Sequence, residues 1–386
     1  MPKVYSGEYN HYTFVMIKKI NLNIMLALAI GVIVLGTYQR VQLATLETTG
    51  GDHGTQIKAV TDLLSGTNPY IWTVRSYANL KNDPGSKGYA YLPGIMYTNS
   101  VFYLFQTTLR FNYNTNISLP FLMELPSVVA SVFIGLFFIK YFYNKSNWAM
   151  LFSTLFWFYN PYIYYKHSDI GYDAVTIAFL LWAFYYLEKD DVVSGVLYSL
   201  SVIFKTFPLI MIFIFLFKSK NKVVFIAAGI IMFLVFSIPF FKSIADFATY
   251  IQGALLVHGD RFVQGRPYLY YISYYYRIEF FRIIPFKAYS IGAIVSGWLA
   301  TIFFTTSRLV KDKFKLAVFP FILFYTLTPV LNRTYVTWGI PFFLAGSFAF
   351  FEKKNKWAFY VINCAYWLFI YWYIAQWKDG FHIWHP

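Results

Sequence analysis

The sequence predicts an all-α polytopic membrane protein, and three observations carry that prediction. Its 386 residues are 58% hydrophobic and only 13% charged, outside the range of soluble domains. The apolar stretches are continuous rather than alternating, so helices and not barrel strands are the spanning structure. Aromatic residues make up 23%, with 35 Tyr and 43 Phe, many at the ends of the apolar runs where an interfacial belt belongs.

The runs read as spans at Ile20–Gln39, Leu119–Tyr143, Trp148–Tyr164, Tyr172–Leu187, Val192–Phe217, Val223–Phe241, Ala288–Ser307, Phe314–Leu331, Tyr335–Phe351 and Trp357–Gln376. The first is too long for a signal-peptide core and lacks a small-residue cleavage site, so it is read as a span. Lys18 and Lys19 before it put the N-terminus in the cytoplasm. The clusters Lys140/Lys145, Lys218/Lys220/Lys222, Arg308/Lys311/Lys313/Lys315 and Lys353/Lys354/Lys356 belong on the same side. Leu92–Leu109 resembles a span, but counting it would put Lys140 and Lys145 outside, so it is read as a helix dipping into the outer interface. Lys189 and Lys218 bracket Val192–Phe217 and both favour the inside. With Lys205 and Pro208 at its middle, that segment reads as two half-length helices forming a hairpin.

About eleven membrane helices result, in one domain spanning 1–386, with long outer loops at about 40–91 and 242–287. The net charge of +15 lies between apolar runs, where it serves orientation and anionic headgroups; nucleic acid is not expected as a partner, and the lipid bilayer is. The single cysteine, Cys364, excludes a disulfide within the chain.

Asp52 is the residue with the most to say. It stands in Thr49-Gly50-Gly51-Asp52-His53-Gly54, about a dozen residues beyond the first span, where a carboxylate at the outer surface can meet a lipid-carried substrate. Asp52, His53 and Asp62 fit equally well as solvated loop residues. Lys205 is harder to account for structurally: an ammonium among Val202, Ile203, Phe204, Phe207, Leu209 and Ile210 is costly unless paired or hydrated. It reads as a cation awaiting an anion, or as a lysine snorkelling from a helix end. Asn332-Arg333 lies in a tight outer turn against the charge rule, which suits a phosphate ligand. Asp169 and Asp173 fit either caps for the helix beginning near Tyr172 or the lining of a pocket. The second outer loop offers His258, Asp260, Arg261, Arg266, Arg277 and Arg282. No metal signature, Walker loop, dinucleotide glycine pattern or nucleophile elbow is present.

These segments resemble the GT-C fold glycosyltransferases, polytopic enzymes that use polyprenyl-phosphate sugars. The resemblance rests on Asp52, on Gly66-Thr67-Asn68-Pro69-Tyr70 and on Tyr89-Ala90-Tyr91-Leu92-Pro93. It continues through Phe156-Trp157-Phe158-Tyr159-Asn160-Pro161, Gly171-Tyr172-Asp173 and Phe204-Lys205-Thr206-Phe207-Pro208. It closes on Asn332-Arg333-Thr334-Tyr335-Val336-Thr337-Trp338 with Pro341. The nearest named group is the polyprenol-phosphate-mannose-dependent α-mannosyltransferases, including those of GPI-anchor synthesis and prokaryotic membranes. Gly50 stands where the GPI-type enzymes carry the first acid of a D-x-D pair, which favours the prokaryotic branch, and the second outer loop matches only loosely.

The resemblance implies transfer of a sugar, foremost mannose, from a polyprenyl-phosphate donor to a hydroxyl of a lipid-linked or glycan acceptor, on the extracytoplasmic side of a cell membrane. Asp52 is then the general base. Lys205 and Arg333, with Arg261 third, hold the leaving phosphate. His258, Asp260 and Asp173 are further candidates at the site, and Tyr335 and Trp338 shape the sugar or lipid pocket or pack at the interface. No cofactor is required, and a divalent metal is not favoured. Other donors (glucose, arabinose, an amino sugar) remain open. So does a non-catalytic flippase or transporter, although such proteins usually show broken helices in both repeated halves.

Overall fold

The computed structural model describes residues 7–49, 51–78, 88–113, 117–164, 172–260, 264–265, 267–269, 272, 278 and 283–377. Among these, five helices are long and apolar enough to cross a membrane: Asn21–Ala44, Leu119–Phe142, Lys222–Phe240, Lys287–Thr306 and Lys356–Ala375. Four more, Asp173–Tyr186, Asp191–Phe204, Phe207–Lys218 and Ile340–Phe351, are apolar but shorter.

The first helix, α1, runs Gly7–Ala44, several residues beyond the end that the apolar run suggests. Near its C-terminal end lies Arg40, fully buried, whose guanidinium donates to the carbonyls of Trp157 and Phe158 at 3.1 and 3.2 Å. The Phe158 ring lies 4.8 Å from it. A buried arginine is tolerated because its donors end on carbonyls rather than in hydrocarbon. Gly36 lies against the same Phe158, where a Cβ would come within 2.3 Å of the ring, so glycine sets how closely α1 approaches its neighbour.

The outer segment that reads as polar loop is itself largely helical. It holds α2 (Gly51–Leu64) and α3 (Tyr70–Ala78). The signal for α2 is one buried stripe, with His53, Gln56, Ala59 and Val60 all turned inward at helical spacing. Then come α4 (Gly94–Tyr113), α5 (Leu119–Phe142), α6 (Asn147–Phe158) and the one-turn α7 (Pro161–Tyr164). The predicted span Trp148–Tyr164 is thus interrupted at Tyr159-Asn160. Proline 161 has no N–H to continue the ladder, and the Asn160 side chain takes over, donating to Trp157 O and accepting from Tyr162 N.

Helix α8 (Asp173–Tyr186) leads into α9 (Asp191–Phe204). At Lys205 the backbone turns extended, with φ −151° and ψ 147°. A 3-10 turn at Phe207–Met211 and the short α10 (Ile212–Lys218) follow. The two halves fold back on each other. Asp191, at the start of α9, accepts the backbone N–H groups of Lys220 and Asn221 just past the end of α10, at 3.3 and 2.6 Å. Tyr198 of α9 donates to Pro208 O and meets the Phe215 ring at 4.5 Å. This is the hairpin that a charge beside a proline predicts, with Lys205 at its tip.

Helix α11 (Lys222–Ser237) packs closely along α9. A Cβ at Gly195 would lie 2.4 Å from Phe225 O, so the crossing is made backbone to backbone. The second outer region contains α12 (Ile244–Ala254) and a 3-10 turn at Leu256–Asp260. It also contributes β1 (Gln264–Gly265), which pairs in parallel with β2 (Val330–Leu331). Helices α13 (Phe286–Thr306) and α14 (Lys313–Leu327) precede β2. After it come the single turn α15 (Tyr335–Trp338), then α16 (Ile340–Phe351) and α17 (Lys356–Trp377).

Neighbours follow a simple order. Helix α1 lies on α5 and α6, α5 on α8, α8 on α9 and α9 on α11, while α13 lies on α14, α14 on α16 and α16 on α17. The basic turns gather at one end of this bundle. Lys313 donates to Leu187 O and pairs with Glu188 at 3.4 Å, and Lys218 donates to Lys311 O. Leu187 follows the C-terminal end of α8, and Asp173 begins that helix. A helix of 14 residues separates them by about 20 Å, so Asp173 and whatever surrounds it occupy the end of the bundle away from the lysines.

Candidate functional site

Three distant segments meet at Asp173. Its Oδ1 accepts from Lys205 Nζ at 2.6 Å and from Trp338 Nε1 at 2.8 Å. Asp173 and Lys205 are 4% and 8% exposed, so the pair is a true interior ion pair, delivered by the first turn of α8 and the tip of the broken hairpin. The other carboxylate oxygen, Oδ2, is buried with no hydrogen-bond partner among the described residues.

This corrects the reading of Lys205 as a cation awaiting an anion. An ammonium in apolar surroundings needs a counterion before any ligand arrives, and Asp173 is that counterion. Asp173 is correspondingly more than a helix cap. One of the three N–H donors of Lys205 is committed. The ammonium also lies 5.5 Å from the Tyr91 ring and 6.0 Å from that of Trp338, distances at which a cation is attracted to the ring face.

Trp338 holds its place through its rings as well as its N–H. Tyr335 stacks on it at 3.9 Å and Phe207 at 4.1 Å. With its faces taken by protein rings, Trp338 orients Asp173 and presents no open platform to a sugar. Tyr335 is half-buried and forms the outer leaf of that stack. Arg333 lies in the turn between β2 and α15, half-buried. Because β2 is paired with β1, the turn carrying Arg333 is stitched to the second outer loop. His258 extends the cluster, its ring 6.3 Å from that of Tyr91. Of Asp260 only the backbone, at the end of its 3-10 turn, is described. Arg261, Arg266, Arg277, Arg282 and Asp169 lie outside the described residues.

Asp52 sits in the first turn of α2, exposed, where the helix dipole favours a carboxylate. Its negative charge is felt, as the weakest of several influences, at both Asp173 and His53. Two contacts fix α2. Asn99 of α4 donates to Gln56 at 2.8 Å and accepts from the hydroxyl of Tyr172, the residue before Asp173. His53 Nε2 meets Glu124 Oε1 of α5 at 2.9 Å.

Glu124 is a functional candidate that the sequence reading passed over. It was available as a lone carboxylate inside an apolar run, which is costly without a partner. Burial works against a charge on His53. The hydrogen bond to Glu124 and the negative charges of Glu124, Glu47 and Asp52 outweigh it, and the imidazole titrates above the usual histidine range. A histidine raised in the folded state contributes its stability in full below the unfolded value of about 6.5, and loses it as pH rises through the raised value. As pH rises above about 6.5, the thermal midpoint of the wild type should therefore fall more steeply than that of His53→Gln. Equal slopes would show that the pair does not respond to pH.

Among the described residues no group of three or more His, Cys, Asp or Glu is arranged to hold a metal ion. No protein-family model matches the chain, and no curated protein matches it.

Proposed function

We propose that the chain is a membrane glycosyltransferase that moves a sugar from a polyprenyl-phosphate donor to an acceptor hydroxyl. One observation carries the reading. Asp173, Lys205 and Trp338, from three of the segments that resemble GT-C enzymes, share one hydrogen-bonded cluster, and Asp52 lies within electrostatic reach of it. The collection of lysines at the other end of the bundle supports a site on the extracytoplasmic side, and the apolar helices support a cell-membrane location.

In this mechanism the acceptor oxygen attacks the anomeric carbon as Asp52 takes its proton. The new carbon–oxygen bond forms as the bond from that carbon to the phosphate oxygen breaks. The electron pair leaves with polyprenyl phosphate, and the configuration inverts. A phosphate monoester has its second pKa near about 6, so the leaving group needs fixed positive charge more than a proton. Lys205 supplies N–H donors already aimed by Asp173 and Tyr91. Because Asp173 neutralises that ammonium, Arg333 supplies the net charge, with a fork suited to phosphate. Mannose is the first sugar to test, with glucose, arabinose and amino sugars as the alternatives.

The test is release of free polyprenyl phosphate when purified protein is incubated with a panel of polyprenyl-phosphate sugars and membrane extract. Release with one donor, dependent on extract, is the expected result. No release with any donor would overturn the proposal. In intact cells a cysteine at position 52 should react with an impermeant thiol reagent, and protection would reverse the assigned side.

A further inference from the structure

At the lysine-bearing end a cleft of about 260 Å³ lies between two turns, one joining α5 to α6 and the other joining α16 to α17. Its polar lining is Lys145, Ser146, Glu352 and Lys356. Helix α5 has just ended and α17 is just beginning there, and both belong to the helices of membrane length. The cleft therefore sits at the level where a bilayer carries its phosphates.

We propose that this cleft binds the phosphodiester of an anionic glycerophospholipid from the surrounding leaflet. Three features argue for that chemistry. Two lysines against one glutamate leave a single net positive charge. That matches a phosphodiester, whereas a phosphate monoester carries about −1.5 to −2 at neutral pH. The remaining walls, Phe348, Phe359 and Tyr360, are aromatic surfaces suited to the glycerol and the first methylenes of acyl chains. Finally, the ammonium of Lys145, on an exposed residue, is seated 3.5 Å from the Tyr141 ring centre. The part of its side chain packed against the protein pulls it below the usual lysine range, Asp312 and Glu352 act in the opposite sense, and Lys189 adds to the lowering. Such a group gains from an anion brought to it. The first residues of α6 and α17 flank the cleft and add the partial positive charge of helix N-termini. The site is separate from the Asp173 cluster and does not depend on the function proposed above.

The experiment measures the thermal midpoint of the full-length protein in neutral detergent against added phosphatidylglycerol, phosphatidylcholine with the same chains, or inorganic phosphate. Phosphatidylglycerol should raise the midpoint, and the other two should not. Lys145→Ala combined with Lys356→Ala should need at least about tenfold more phosphatidylglycerol for the same rise. Lys353→Ala with Lys354→Ala, which changes lysines of the same turn that do not line the cleft, should stay near wild type. Glu352→Gln keeps both cations and removes the opposing charge, so it should bind several-fold more tightly. It serves as the test should the double alanine variant not fold. The proposal is overturned if phosphatidylglycerol has no effect, if inorganic phosphate reproduces it, if both double variants lose it equally, or if Glu352→Gln binds no better.

Discussion

Lys205→Met should lower the stability of the protein by about 3–5 kcal/mol, because it strands the Asp173 carboxylate inside the bundle. Asp173→Asn should cost a comparable amount by stranding the ammonium. Combining the two should return most of the loss, since neither charge is left without its partner, and the recovered coupling measures the pair. The variants are compared by thermal or denaturant unfolding in detergent. Activity separates the structural role from the chemical one. Each single variant and the double variant should lose about 100-fold or more in polyprenyl phosphate release, as when an aimed donor to developing charge is removed. Should transfer return together with stability in the double variant, Lys205 is a structural counterion and the phosphate must be held elsewhere.

Asp52→Asn should slow transfer by about 100- to 10,000-fold, the usual contribution of a positioned base, and leave the thermal midpoint close to wild type. The second half of that expectation follows from exposure. Asp52 is at the surface in the first turn of α2, and the contacts that seat that helix belong to His53 and Gln56 instead. An amide at position 52 keeps the shape and loses only the ability to accept a proton. Asp52→Glu should retain part of the rate, limited by the displaced carboxylate. Equal release by wild type and Asp52→Asn would remove the base assignment, whatever became of the fold. The contrast with Lys205 is useful in itself: one variant is expected to be stable and slow, the other unstable and slow.

The helical character of the chain was legible because continuous apolar runs admit few alternatives in a membrane. The break at Lys205 was legible for a related reason: a charge and a proline together cannot continue an apolar helix without consequence. The helices of the outer segment were harder to see. Helix α2 buries a stripe that includes His53 and Gln56, and polar residues on the inner face mask the periodicity that hydrophobic residues would have announced. Pairings were not legible at all. Nothing near Lys205 in the chain names Asp173, and nothing near Asp173 names Trp338, since such contacts are decided by how helices cross. Glu124 shows the opposite case. Its isolation in an apolar run was a readable signal, and the partner it demanded was the histidine next to Asp52.

The Asp173 cluster draws on chain positions that reach the ribosome's exit at very different times. The Lys205 contact to Asp173 can close as soon as the hairpin has been inserted. The indole of Trp338 is separated from Asp173 by 165 residues and comes after the parallel pairing of Gln264–Gly265 with Val330–Leu331. A nascent chain halted before Trp338 lacks the indole that donates to Asp173. The cluster can therefore be complete only once the chain has been made through Trp338, whose indole is the last of its three groups to be synthesised.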